Sequence, residues 1–343
     1  MYTQNNEINH KVSQWLLSMF IIISFMIVVG GLTRLTDSGL SITQWQLFSG
    51  FLPPLTQNDW VYYFDLYKKI PEFYLQNYEM TLQEFKVIFW WEWAHRFLGR
   101  LIGIAYLIPL IYFSFKLNFK KLISLYLIFF LICLQGFIGW YMVSSGLVDR
   151  VDVSHFRLAV HLLIAFIILS LIFYNFLNFR NVKKPLNNLN QFIPIVFLLL
   201  TYLQITFGAF VSGMDAGKIY NSWPLMGSSF FPDDSNISEI LTLSSLSDRS
   251  IVQFIHRNLA YIILIFYVYI FYRIYSLRLK EYYTTIHLVG FLLLIQVILG
   301  IVTLLSGATI FYSSLHQISS IFLVSSCIYF LYINFSFSQQ PSS

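Results

Sequence analysis

Four of the seven histidines in this 343-residue chain fall at repeated separations. His95-Arg96 recurs as His256-Arg257 at an offset of 161, and His161 recurs as His316 at 155. Of the other three, His10 and His287 have no such counterpart. A neutral imidazole can ligate a metal, and near neutral pH it can carry a proton. Two histidines from different segments suit a low-spin haem, which takes one imidazole on each face of a flat macrocycle while its propionates seek cations. Zinc fits less well, because no third His or Cys lies near either pair. Candidate propionate contacts are Arg34, Arg96, Arg100, Arg157 and Arg257, each of which also has the plainer reading of a side chain snorkelling to an interface. One position breaks the repeat. Glu92, three residues before His95 and so on its helical face, has Gln253 as its counterpart. A partly desolvated carboxylate beside only one pair could take up and release protons in a reaction. The alternative is a surface ion pair with Arg96 one turn on.

The elements that carry these residues must cross lipid. The chain is 57% hydrophobic and 11% charged, where a soluble domain carries roughly 25% charged residues. That balance excludes a disordered chain, a disulfide scaffold and a nucleic-acid-binding module. Cys133 and Cys327 each lie inside an apolar run, as small buried hydrophobes do. A bilayer core needs ~20 apolar residues per helix, and stretches at about 15–33, 97–115, 122–143, 156–177, 192–211, 252–272, 286–305 and 315–333 qualify. The first continues into Gly30-Gly31-Leu-Thr-Arg34 with no small-residue cleavage site, which predicts a retained helix. The fold class expected is an all-α integral membrane protein with eight transmembrane helices.

The repeat extends beyond the histidines. Gly30, Asp37 and Gly39 recur as Gly208, Asp215 and Gly217 at an offset of 178, and Gln135, Gly139 and Ser145-Gly146 recur as Gln296, Gly300 and Ser306-Gly307 at 161. Two pseudo-symmetric four-helix bundles follow, residues 1–185 and 186–343, as a parallel repeat about an axis along the membrane normal. All four matched histidines then lie at the outer end of an even-numbered span. Gly99, Gly103, Gly136 and Gly139 would let helices approach a flat cofactor or one another.

Charge placement gives the orientation. The N-terminus, the loops after spans 2, 4 and 6 and the C-terminus hold Lys11, Lys116, Lys120, Lys121, Arg180, Lys183, Lys184, Arg273, Arg278 and Lys280 against only Glu7 and Glu281. Positive charge in short loops marks the cytoplasmic or matrix side, so both termini are expected there and the histidines toward the outer face. The net +5 and the pI near 9.0 therefore report topology beside anionic lipid headgroups and give no support to a nucleic-acid partner.

Four segments together resemble one family. Gly30-Gly-Leu-Thr-Arg34-Leu-Thr-Asp37-Ser-Gly39-Leu-Ser, Glu92-Trp-Ala-His95-Arg96-Phe-Leu-Gly99-Arg100, Gln135-Gly-Phe-Ile-Gly-Trp140-Tyr-Met-Val-Ser-Ser-Gly146-Leu and Val211-Ser-Gly-Met-Asp215-Ala-Gly217 followed by Asn221-Ser-Trp-Pro-Leu-Met226 are similar to haem A synthase of the mitochondrial and alphaproteobacterial branch, over about residues 12 to 335. The resemblance implies oxidation of the C8 methyl group of haem O by two hydroxylations, through an alcohol, to a geminal diol that loses water and leaves the formyl group of haem A for cytochrome oxidase. It implies haem b as cofactor, with axial ligands His256 and His316, and a substrate haem received near His95 and His161. It implies that the carboxylate of Glu92 is needed for activity, with water as the oxygen source. It also implies a bacterial cytoplasmic membrane, or a mitochondrial inner membrane in a eukaryote, and the haem O synthase, a protohaem farnesyltransferase, as partner and supplier. A cysteine pair present in the first outer loop of another branch is missing from this sequence, so a mechanism built on that disulfide does not apply. Homo-oligomerisation stays open.

Two other readings compete. A non-enzymatic di-haem b electron-transfer cytochrome would hold two equivalent, permanent haems. A two-repeat secondary transporter would place polar groups on broken helices near the midplane; Gln135 and Gln296 lie at about that depth, but neither span is interrupted there by a Pro or Gly pair. Outer segments 55–90 and 230–250 give no clear elements and read either as caps over the haem pockets or as variable connections.

Overall fold

The computed structural model describes residues 2–46, 49–148, 150–185 and 189–335. Among these the chain is helical, with one isolated β-bridge, Met226 to Ser229. Eight helices are long and apolar enough to cross a membrane: α1 (Tyr2–Leu35), α4 (Leu82–Ser114), α5 (Phe119–Gly146), α6 (His155–Phe179), α7 (Phe192–Gly213), α8 (Arg249–Ser276), α9 (Tyr283–Leu305) and α10 (Ile310–Asn334). Two shorter helices, α2 (Gln57–Tyr67) and α3 (Pro71–Leu75), lie in the long connection after α1. All eight predicted spans are present, and hydropathy set several of their ends too tightly. The polar N-terminal segment continues α1, and α4 starts at Leu82 where a span from about 97 was expected. A capping box explains that earlier start: the Thr81 hydroxyl accepts from the Glu84 amide, and the Glu84 carboxylate accepts from the Thr81 amide at 2.8 Å. Glu92 and His95 therefore stand in the interior of a helix.

Contacts divide the chain into two compact units. The expected boundary at 185/186 borders Leu186–Asn188, which lie outside the described residues. One unit comprises residues 19–168 and 209–216, and the other comprises 169–208, 217–343 and the segment before Met19.

In the first unit, the connection expected to lack clear structure folds onto α4. Trp60, Phe64 and Tyr67 make an i, i+4, i+7 stripe on α2, and Phe85, Ile88 and Phe89 make one on α4. The two stripes meet at ring centroid distances of 5.0 Å for both Trp60–Phe89 and Phe64–Phe85. Leu40, Ile42, Met142 and Val153 complete this core. Each such side chain stabilises by roughly 1.5–3 kcal/mol when fully buried, so the N-terminal part of α4 is held by its own apolar cluster. α1 ends at a left-handed residue, Asp37 (φ 49°), and the segment after α7 has another at Asp215 (φ 51°); aspartate tolerates that conformation better than most residues. Arg34 joins the two turns, donating to Asp37 Oδ1 at 2.6 Å and to the Ser212 carbonyl at 2.9 Å, with Asp215 Oδ2 at 3.5 Å and Asp152 Oδ1 at 3.8 Å.

In the second unit α8 and α10 carry the later matched histidines. Asn334, fully buried at the end of α10, accepts from the Leu189 amide at 2.9 Å and the Tyr282 hydroxyl at 3.1 Å. These bonds satisfy backbone and side-chain groups that would be costly to bury alone. Asp248 caps α8, its carboxylate accepting from the Ile251 amide at 2.8 Å.

Candidate functional site

Each of the four matched histidines lies against a glycine of a preceding helix. A Cβ added at Gly30 would fall 3.2 Å from His95, at Gly139 3.0 Å from His161, at Gly208 3.2 Å from His256 and at Gly300 3.1 Å from His316. These separations are tighter than ordinary van der Waals contact, so the glycines are the cradles in which the imidazoles sit. They follow the sequence offsets: α1 with α4 and α5 with α6 in one unit, α7 with α8 and α9 with α10 in the other.

His95 and His161 come together, with ring centroids 6.4 Å apart and planes at 83°. His256 and His316 stand on α8 and α10 of the second unit, each over its own glycine. Nδ1 of His161 and Nδ1 of His256 are buried without a hydrogen-bond partner, and buried orphan nitrogens of this kind call for an explanation such as a bound group. Among the described residues no cluster of three or more His, Cys, Asp or Glu could share a metal ion. Two imidazoles per site, set over glycines, fit a macrocycle that brings its own four nitrogens. Cys133 and Cys327 are both free thiols.

Gln135 and Gln296 belong to these sites. Gln135 donates to the His161 carbonyl at 2.9 Å and Gln296 to the His316 carbonyl at 3.1 Å. A third glutamine, Gln204, donates to the His256 carbonyl at 3.0 Å.

Glu92 is 2% exposed. Its Oε2 accepts from the Ser41 hydroxyl at 2.7 Å and the Ile42 amide at 2.6 Å, and its Oε1 accepts from Arg96 at 2.5 Å. The carboxylate is buried, and its ion pair with Arg96 is buried with it, so the surface ion pair that the spacing also allowed is not what forms. Gln253 instead donates to the Tyr220 carbonyl at 3.1 Å.

The arginines bind protein groups. Arg96 donates to the carbonyls of Ile42 (2.7 Å) and Gln44 (3.2 Å), and Arg257 to those of Tyr220 (2.8 Å) and Ser222 (3.0 Å). The acceptors are again 178 residues apart. Arg100 donates to the Gln46 carbonyl at 2.7 Å, and Arg157 to the Ser145 hydroxyl while lying 4.8 Å from the Tyr141 ring centre. A cavity of about 20 Å³ beside Arg96, Arg100 and Trp93 has room for a single water.

Sequence reasoning missed Glu72, Ser41 and Gln204. Ser41 sits inside the quoted first segment, whereas Glu72 had no counterpart to mark it. Glu72 is 2% exposed in α3. Burial pushes its carboxyl up from 4.5 to about 8; the Tyr67 hydroxyl bonded to it opposes this, and the charges of Glu92, Asp152 and Asp37 add to it. Between pH 4.5 and 8 the folded chain holds a proton that the unfolded chain has released, so stability falls as pH rises through that window and is level beyond it. Glu72→Gln cannot ionise. It is expected to match the parent in stability near pH 4.5 and to exceed it at pH 9 by on the order of 5 kcal/mol, seen as a higher melting temperature only at the upper pH in thermal scans of the detergent-solubilised protein.

Residues 13–328 match the COX15-CtaA family, described as cytochrome oxidase assembly protein. This chain belongs to that family. The match spans all four matched histidines. Among relatives, the chain is similar to the Heme A synthase of Pelagibacter ubique (strain HTCC1062), 49% identical across 97% of this chain and 99% of the relative. It is 42% identical to the Heme A synthase of Rickettsia bellii (strain RML369-C), over 93% of this chain and 97% of that one. It is also 42% identical to the Heme A synthase of Maricaulis maris (strain MCS10), over 92% and 93%. These family members are alphaproteobacterial, the branch to which the four segments pointed.

Proposed function

We propose that this protein is a haem A synthase, a membrane oxidoreductase that converts the C8 methyl group of haem O to the formyl group of haem A. The observation that carries the reading is the buried carboxylate of Glu92 beside one histidine pair, where the other pair has Gln253. Two equivalent haem sites would need no such difference; a reaction at one of them does. His95 and His161 receive substrate haem O, and His256 and His316 hold haem b. When bound, haem b supplies one-electron transfer at a potential set by its axial ligands and surroundings.

Conversion of a methyl to a formyl group with oxygen from water releases four protons and four electrons. Glu92 is the group placed to accept protons, one helical turn from His95. Of its three partners, the Ile42 amide and Arg96 can only donate, whereas the Ser41 hydroxyl can turn from donor to acceptor. Ser41 is thus able to follow the carboxyl through both protonation states. Arg96 holds the carboxylate in position and fixes the backbone of residues 42–44 over it.

The charge distribution supports cytoplasmic termini and outward-facing haem sites. In a bacterium the host is then the cytoplasmic membrane, in which an apolar haem O arrives laterally from the farnesyltransferase that makes it. Extraction and chromatography of the haems carried by the purified protein test the reading. One haem b per chain with variable haem O or haem A is expected. Two haem b per chain with neither haem O nor haem A would make it a di-haem cytochrome.

A further inference from the structure

The polar groups behind the two histidine pairs are unequal. Behind His256, Gln204 on α7 donates to the histidine carbonyl. The offset that carries Gly208 back to Gly30 carries Gln204 back to Met26, whose methyl packs near Gly99 and which has no N–H or O–H to donate. Behind His316, the Ser319 hydroxyl contacts Oε1 of Gln296 and also donates to the His316 carbonyl at 2.9 Å. The offset that carries His316 back to His161 carries Ser319 back to Ile164. Oε1 of Gln135, the counterpart of Gln296, is accordingly buried without a partner. Oε1 of Gln204 is unpartnered as well, so the difference lies in the donors that reach the histidine carbonyls and in Ser319.

A hydrogen bond onto the carbonyl of a ligating histidine ties its helix to the neighbouring helix at the level of the ligand. Both helix pairs of the second unit have that tie, α7 to α8 and α9 to α10. In the first unit Gln135 supplies it between α5 and α6; between α1 and α4 the place matched to Gln204 holds the apolar Met26, and the Thr33 hydroxyl reaches the Trp91 carbonyl at 3.4 Å, one turn away from His95. A cofactor has to stay, whereas a substrate has to enter and its product leave. We propose that Gln204 and Ser319 retain the haem of the His256–His316 pair, and that Met26 and Ile164 leave the His95–His161 pair free to exchange its haem. The inference rests on the functional reading above.

The experiment measures haem loss from the purified full-length protein to excess apomyoglobin, followed by absorbance, with the remaining haems identified by extraction. In the parent, haem O or haem A is expected to leave at least ten times faster than haem b. Met26→Gln and Ile164→Ser should each slow the fast phase about fivefold, the effect of roughly one added hydrogen bond. Gln204→Met and Ser319→Ile should each speed loss of haem b by a similar factor. Methionine and glutamine are close in length, so Met26→Gln tests the idea even where Gln204→Met fails to fold. If the parent shows two phases of distinct haem type and Met26→Gln and Ile164→Ser leave both rates within twofold, the retention idea falls and the functional reading stands. If the parent carries two haem b that leave at one rate, both fall.

Discussion

Loss of haem b from a chain that still folds is the expected result of His256→Ala. The change removes one imidazole of a pair and opens a space beside Gly208, whose missing Cβ is what allowed the ring to sit there. Gln204 keeps its bond to the backbone carbonyl of residue 256, so α7 and α8 remain tied, and the stability cost should fall within the 0.5–3 kcal/mol usual for single substitutions. Haem b per chain should drop more than tenfold and haem A formation below detection. His316→Ala should behave the same way. His95→Ala should keep haem b and lose the ability to hold haem O, and extraction of haem from the three variants checks the assignment of both pairs. If His95→Ala empties haem b and His256→Ala does not, the two roles are reversed.

The second large effect is on the reaction alone. Glu92→Gln should lower the rate of haem A formation by ~10²–10⁴, the range supplied by a positioned proton acceptor, with haem b content unchanged and haem O or the alcohol intermediate accumulating. The substitution has a structural cost as well. Ser41, Ile42 and Arg96 all present donors to the carboxylate, and a carboxamide offers one oxygen to them and turns an N–H₂ toward the rest. A loss of about 1–3 kcal/mol follows from the unsatisfied donors and the uncompensated Arg96. Product analysis by chromatography, alongside a melting curve, separates the two effects. Normal haem A output from Glu92→Gln would remove Glu92 from the chemistry.

Much of this site is legible in the sequence because lipid leaves so few ionisable groups. Eight spans and four matched histidines follow from hydropathy and constant offsets, and the structure pairs His95 with His161 as the offsets suggest. The start of α4 was missed because hydropathy falls away before the helix does; the signal that sets it is the local pair Thr81 and Glu84. Glu72 was invisible because nothing in the sequence marks which face of a five-residue helix will be covered. Gln204 escaped for a different reason. Matching the halves picks out residues that agree, and at this place they disagree, Gln204 against Met26. Gln135 and Gln296 were seen, but their depth alone did not reveal that each serves the histidine of the next helix.

Arg96 and Arg257 grip the connecting segments by main-chain oxygen atoms, at Ile42 and Gln44 in one unit and at Tyr220 and Ser222 in the other. Every amino acid supplies such an oxygen. The identity of the side chain at those four places is therefore of little account to the grip, while the number of residues between the end of the preceding helix and the gripped carbonyl is critical. A single inserted or deleted residue between Asp37 and Ile42, or between Asp215 and Tyr220, would present the wrong carbonyls and shift the strand of backbone lying over the site. The side chains at those four places can change without loosening the grip, and the spacing cannot.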